Sequence, residues 1–409
     1  MTRSDGMASA SSCHAFLFRH LYVALVALDL TEFAPRRGTA VIETLIDCDI
    51  HPALSSSADL LPYLDDHWKE QVTTRGIDGM DLQSYLPSMP LSGRPDWRPG
   101  APDGKAKPGS DFTMLKRQAL DGFGSSLAIC NCLYGGQAAY DPYLAAAFCR
   151  ATNDWIAAEW LAKDHRLRAS IVVPMQAPDL AVEEIERLAG DHRFVSVLVL
   201  AQGEMPLGRR QFWPVYAAAE RHGLPLAVHA GSAYRQAPTS AGWPSYRLEY
   251  YIAEAPAFQA QVLSLVLEGV FRKFPGLKVV LMESGISWLP ACMWRANKTW
   301  KGVRIEVPWV DRPPADIIRD HFRLTIQPFD APPDKHGVEQ LIEQIGSDRM
   351  LLFSTDYPHW HFDGDQAMPE HIPKATTDRM WSANALETFP RLSSPSMSSP
   401  SINSPSLKS

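Results

Sequence analysis

Four segments of this chain end an apolar run on a side chain that can bind a metal ion or carry a proton. They read Leu45-Ile46-Asp47-Cys48-Asp49-Ile50-His51-Pro52, Ala227-Val228-His229-Ala230-Gly231, Leu281-Met282-Glu283-Ser284-Gly285 and Phe353-Ser354-Thr355-Asp356-Tyr357-Pro358. Side chains of an extended strand alternate between faces, so Asp47, Asp49 and His51 share one face and Cys48 takes the other. Asp49 and His51 are then near enough to share one ion. With His229 and Asp356 they make a mixed nitrogen and oxygen set, which suits one divalent Zn2+ or Mn2+ better than Mg2+ or Ca2+. The lack of a thiolate argues against a structural zinc site. Taken singly, each residue also has an ordinary reading: a hydrogen-bonded structural histidine, a helix-capping aspartate, or an aspartate that opens the turn at Tyr357-Pro358. Convergence separates the two readings, and convergence depends on the fold.

Eight apolar runs rich in Val, Ile, Leu and Phe span residues 45–51, 127–133, 168–173, 195–200, 225–229, 278–283, 322–327 and 350–355. They are nearly continuous rather than alternating, as in parallel strands buried on both faces. Between them, residues 143–162, 180–189, 212–221, 258–274 and 338–345 repeat apolar positions at helical spacing. Strand then helix, eight times over, predicts an α/β fold, a (β/α)8 TIM-like barrel with a long insertion after strand 1. Barrel closure gathers the C-terminal strand ends around one axis, which brings Asp49, His51, His229, Glu283 and Asp356 to one rim. Buried polar groups without partners are costly there, and a divalent cation is the simplest partner for them.

The insertion between residues 52 and 126 is rich in Pro, Gly and Trp and carries Arg75, Arg94, Trp97 and Arg98. It leaves from the catalytic rim, where it serves either as a lid or as a homodimer contact. Residues 1–40 read as an N-terminal extension, poorly ordered or leader-like. Their apolar stretch from Ala15 to Leu30 is broken by Arg19, His20 and Asp29 and is too short for a membrane span. Residues 41–392 form the barrel, and the Ser/Pro-rich residues 393–409 a disordered tail. The composition, 45% hydrophobic and 21% charged with a net charge of -7, fits a globular enzyme and leaves no basic footprint for nucleic acid. Six scattered cysteines show no disulfide framework, which points to the reducing cytoplasm; Cys130 and Cys132 read as core residues on one strand face.

In this order, the motifs resemble those of the amidohydrolase superfamily, in the amidohydrolase-2 branch that includes aminocarboxymuconate semialdehyde decarboxylase. The resemblance covers residues 42–392 and rests on Asp47-Cys48-Asp49-Ile50-His51, on His229 in His-Ala-Gly, and on Asp356 in Ser-Thr-Asp-Tyr-Pro-His. Asp49 stands where many members of the family carry the first histidine of a pair. Glu283 stands where the decarboxylases often carry a proton-transferring histidine. Three roles are open for Glu283: taking over proton transfer, hydrogen-bonding a water, or positioning a neighbour.

The resemblance implies a carboxy-lyase that decarboxylates an aromatic or unsaturated carboxylic acid without an oxidant. The alternative is hydrolysis of an amide or lactone, with Asp356 accepting the proton of an attacking water. A third reading is an inactive barrel that serves as a binding protein. No glycine-rich dinucleotide or phosphate-loop motif occurs, so a metal ion is the expected cofactor. Asp356 is expected to be the indispensable proton-handling residue. Glu283 is expected to be auxiliary, orienting a ligating imidazole such as His229 without touching the ion. Arg235, Arg247 and Arg295 follow strands five and six and are either substrate contacts or solvated surface groups.

Overall fold

Strands with apolar side chains on both faces have no side to give to water, so they must be covered by helices. The computed structural model describes residues 44–77, 97, 107–359 and 367–393. It contains an eight-stranded parallel sheet in the order β1-β2-β3-β4-β5-β6-β7-β8. The strands are β1 Ile46–Ile50, β2 Leu127–Cys130, β3 Leu167–Val172, β4 Phe194–Gln202, β5 Leu226–Ser232, β6 Val279–Met282, β7 Phe322–Thr325 and β8 Leu351–Leu352. Every residue of β4 is buried, as expected of a strand packed on both faces.

The ring closes between the first strand and the chain that follows β8. Cys48 N donates to Phe353 O at 2.9 Å, Asp356 N to Asp49 O at 3.0 Å, and His51 N to Tyr357 O at 2.7 Å. The eighth run was expected to be a strand over 350–355, yet only Leu351–Leu352 is regular. At Thr355 a side chain takes the place of the ladder before backbone pairing resumes at Asp356 and Tyr357. Asp47 accepts from Thr355 N at 3.0 Å and from Thr355 Oγ1 at 2.6 Å.

Helices cross between the strands, among them Pro142–Ile156, Pro178–Leu188, Arg247–Leu267, Leu289–Val303 and Lys335–Ile345. Pro142 opens the first of these, and Asp141 caps it by accepting from Tyr143 N and Leu144 N. The helix expected over 258–274 begins instead at Arg247 and runs through Pro256. Proline withholds one donor but does not stop a helix whose apolar face is already packed on the barrel. It ends at Leu267, because Gly269 takes a left-handed φ of 80° and a Cβ there would sit 2.6 Å from Trp309.

The insertion after β1 folds into a 3-10 segment Ser57–Tyr63 and a helix Asp66–Arg75, with Arg75 exposed on its last turn. Arg94 and Arg98 lie outside the described residues. Trp97 packs on Tyr357 with ring centroids 5.0 Å apart, so the insertion reaches the rim beside Asp356. At Gly109 (φ 79°) a Cβ would lie 2.3 Å from His51 O, so only glycine lets the insertion return this close to β1. Residues 1–40 and those after Ser393 also lie outside the described residues. Among the described residues no helix is long and apolar enough to cross a membrane.

Arg391, in the last turn Pro390–Ser393, is buried and donates to four carbonyls: Ala189 O, Asp191 O, Phe194 O and His222 O. It ties the end of the barrel to the N-terminal side of β4. Its removal leaves buried carbonyls unsatisfied, so Arg391→Ala should lower unfolding free energy by about 2–4 kcal/mol. A chain ending at Ser393 should keep full stability and one ending at Phe389 should not, as urea or thermal unfolding will show.

Candidate metal centre

Parallel strands set their C-terminal ends on one rim, and there two histidines are fixed by their backs. His51 Nδ1 lies 2.8 Å from Asn131 O and His229 Nδ1 lies 2.6 Å from Ala230 O. A carbonyl only accepts, so each Nδ1 carries its proton and each Nε2 turns into the barrel mouth. His51 Nε2 is 2.8 Å from Asp356 Oδ1, 3.2 Å from Asp49 Oδ1 and 3.4 Å from Glu283 Oε1. His229 Nε2 is 3.1 Å from Glu283 Oε1 and 3.8 Å from Asp49 Oδ2. These approaches lack hydrogen-bond geometry, and His51 Nε2, His229 Nε2 and Asp49 Oδ2 are buried with no hydrogen-bond partner.

Two overlapping groups place one ligand atom of each member within 4.8 Å of the others: Asp49, His51, His229 and Glu283, and His51, Glu283, Asp356 and His359. Buried donor atoms that converge without bonding one another fit a cation better than any internal pairing. Of the expected set, Asp49, His51 and His229 fall together, and Asp356 falls in the second group. Glu283, expected to stand back from the ion, has Oε1 among the ligand atoms of both. The reason is local. Glu283 leaves β6 at a left-handed φ of 56°, and Asp356 leaves β8 at 54°, and both turns redirect a carboxylate at the rim.

Charge follows geometry. Burial alone would push Glu283 up, but His229, His359 and His51 outweigh it and hold its carboxyl well below the usual range. Burial opposes the charge on His51, yet Asp49, Asp356 and Glu283 hold it well above the ordinary histidine value. Asp49 is pushed up, chiefly by burial. The site is thus a dense exchange of charge between carboxylates and imidazoles, in which a cation and protons compete for the same atoms.

Several contributors were not singled out in the sequence. Asn131 Nδ2 donates to Asp49 Oδ1 at 2.8 Å, and its own Oδ1 accepts from Ser170 Oγ at 2.5 Å. Ser170 lies 2.6 Å from Ser196 Oγ, so a polar chain from β4 through β3 and β2 orients Asp49. His359 stacks on His51 with centroids 4.5 Å apart. Its Nδ1 lies 2.8 Å from Asp356 Oδ1 and 3.3 Å from Glu283 Oε1. Burial disfavours its charge, but Asp356 in the main raises it to about 9. Burial and the charges of Glu283 and Asp356 keep Tyr251 a neutral phenol. Of the three arginines, Arg295 is exposed and Arg247 lies over the Tyr251 ring at 5.5 Å. Arg235 is stacked 3.5 Å over Tyr140, its side chain only 10% exposed. Its Nη2 donates to Ala139 O at 2.7 Å and its Nε is 3.2 Å from Glu204 Oε1, while Nη1 is buried with no hydrogen-bond partner.

If these atoms hold the ion, Mn2+ or Zn2+ added to chelator-stripped protein should stabilise it by about 2.7 kcal/mol at a free concentration about one hundred times Kd. Glu283→Gln should weaken metal binding by more than about 100-fold, beyond the loss typical of an outer partner. Asp356→Asn should retain most of the metal. Calorimetric titration with metal analysis checks both, and a Glu283→Gln protein that binds metal normally would remove Glu283 from the ligand set.

Known proteins resemble this chain in sequence and in fold. The chain is 28% identical to a gamma-resorcylate decarboxylase of Polaromonas sp. over 59% of its length and 76% of the relative's. It is 28% identical to the enzyme of that name from Rhizobium sp. over 62% and 79%. Among solved structures, a dihydroxybenzoic acid decarboxylase from Polaromonas sp., with bound manganese and the inhibitor 2-nitroresorcinol, superposes with a TM-score of 0.59 at 21% identity, covering 85% of this chain and 97% of the other. A 2,6-dihydroxybenzoate decarboxylase from Rhizobium gives 0.61 at 22% identity, covering 85% and 98%. The family model described as Amidohydrolase matches residues 46–391, nearly the whole barrel with its rim, and the chain belongs to that family.

Proposed function

We propose that this protein is a metal-dependent carboxy-lyase that decarboxylates an aromatic or unsaturated carboxylic acid without an oxidant. The observation that carries this reading is an acid pair set against unsatisfied ligand atoms: Asp356 Oδ1 touches His359 Nδ1 at 2.8 Å and His51 Nε2 at 2.8 Å. The gamma-resorcylate decarboxylases among its relatives support the substrate class, and the manganese of a structural neighbour supports the ion. We assign Asp49, His51, His229 and Glu283 to one Mn2+ or Zn2+, with Asp356 at its edge. When bound, the ion supplies a positive charge that holds a substrate oxygen.

The rest is done by side chains. Asp356 relays the proton held by its partner His359 to the carbon that bears the carboxylate. The carbon–carbon bond then breaks, its electron pair stays with the ring, and carbon dioxide leaves. Tyr251 stays neutral and can donate to a ring oxygen. Arg235, with Nη1 unpartnered, is the candidate to hold the carboxylate. Cys48, Cys130, Cys149 and Cys292 are buried free thiols, in keeping with a reducing cytoplasmic setting.

Protein loaded with Mn2+ or Zn2+ should release carbon dioxide from a member of a panel of hydroxybenzoic and unsaturated acids. Asp356→Asn should keep the fold and most of the metal while losing about 100- to 10,000-fold in kcat. Turnover confined to lactones or amides would replace the carboxy-lyase reading with a hydrolase, and protein that purifies without metal and takes none up would end both.

A further inference from the structure

The far end of the barrel carries a second concentration of charge, of one sign. A cavity of about 810 Å3 opens where Lys278 precedes β6, Arg323 sits in β7 and Arg349 precedes β8. Those are N-terminal strand ends, so this cavity lies opposite the rim that holds the metal centre. Six Lys and Arg side chains line it against two carboxylates, Asp311 and Asp320. Those acids are already engaged, Asp311 with Arg272 at 2.8 Å and Asp320 with Arg312.

Lys278, Arg323 and Arg349 are left over. Arg323 is buried at 5% exposure, and Nη1 is spent on the carbonyls of Phe322, Arg319 and Asp320. Its Nε is buried with no hydrogen-bond partner, and no carboxylate among the described residues forms an ion pair with it. Lys278 Nζ has only a carbonyl, Asp320 O, at 2.8 Å. Arg349 reaches Glu387 only at 4.0 Å, with its side chain 62% exposed. Burial depresses Lys278 most and the charge of Arg323 adds to it, while Asp320 works against the shift and Arg349 contributes less. Folding gathers three cations, one of them almost fully desolvated, and the charges of Asp320 and Glu387 offset only part of their repulsion. A buried guanidinium with a free N–H on a cavity wall is the arrangement that recognises oxyanions.

We propose that this cavity binds an oligophosphate anion. Several cations spread over a volume of this size suit a chain of phosphates better than a single carboxylate, and the guanidinium groups offer paired donors to adjacent oxygens. Trp309 also lines the wall, the surface against which an aromatic group attached to the phosphates would lie. The ligand is therefore either a free oligophosphate or a nucleoside polyphosphate, which share the recognition chemistry. The proposal is independent of the reaction at the metal centre.

The test is calorimetric titration of the full chain with sodium tripolyphosphate and, in a second arm, with ATP. Saturable binding that weakens with salt is expected. Arg349→Glu and Lys278→Met should each weaken it by about tenfold or more, the scale of a lost charge-assisted bond, with unchanged thermal unfolding in the absence of ligand. Tighter binding of ATP than of tripolyphosphate would assign the aromatic wall to the base, and the reverse would assign the site to free oligophosphate. Because oligophosphates chelate metals, heat that persists unchanged in both variants would reflect the metal centre and would overturn the proposal. So would the absence of saturation in the millimolar range.

Discussion

The whole arrangement depends on one buried carboxylate that joins the two ends of the barrel. Asp47 takes Thr355 N, Thr355 Oγ1 and Asp49 N, three donors from both sides of the seam. Burial pushes its pKa up to about 7, and those hydrogen bonds keep it from rising further. β8 is only two residues long, so this side chain does what a longer ladder would otherwise do. It fixes Thr355, and the next residue can then hold a left-handed conformation that costs about 1–3 kcal/mol. That residue is Asp356, whose N–H is tied to Asp49 O at 3.0 Å. The seam and the site are therefore one structure, in which closing the barrel aims the acid.

Most of the fold was legible because burial on both faces writes near-continuous apolar runs. Residues 195–200 and 278–283, read as strands, became Phe194–Gln202 and Val279–Met282. Where side chains replace backbone pairing, as after Leu352, hydrophobicity carries no record of it. The long helix from Arg247 was read short because its first turns carry Arg247, Glu249 and Tyr251 rather than a regular apolar stripe. Those turns lie over the rim, and their composition serves the site.

The site was legible where a polar residue closes an apolar run, as His51, His229, Glu283 and Asp356 do. Asn131 has the same signature, a lone amide in Ile129-Cys130-Asn131-Cys132, but an amide between two cysteines is not by itself a metal-ligand pattern. His359 had none. It follows Pro358 in a loop, and only the fold shows that it stacks on His51 and bonds Asp356. The side on which Glu283 stands depended on its backbone dihedral, which no residue pattern encodes.

Glu283 also changes the charge of the centre. With a divalent ion in place, His51 and His229 must be neutral to act as ligands. With His359 also protonated, the charges of Asp49, Glu283 and Asp356 would balance those of the ion and the imidazolium. A histidine in place of Glu283 would leave the centre positive. In that state the centre would be close to neutral before substrate arrives and would attract an anionic acid only weakly through net charge. The missing attraction has to come from outside the cluster. Arg235, on the loop after β5, is the proposed source: its Nε is paired with Glu204, but Nη1 is buried and unspent beside the Tyr140 ring. If Arg235 holds the carboxylate, the proposed Asp356–His359 pair is left free to act on carbon.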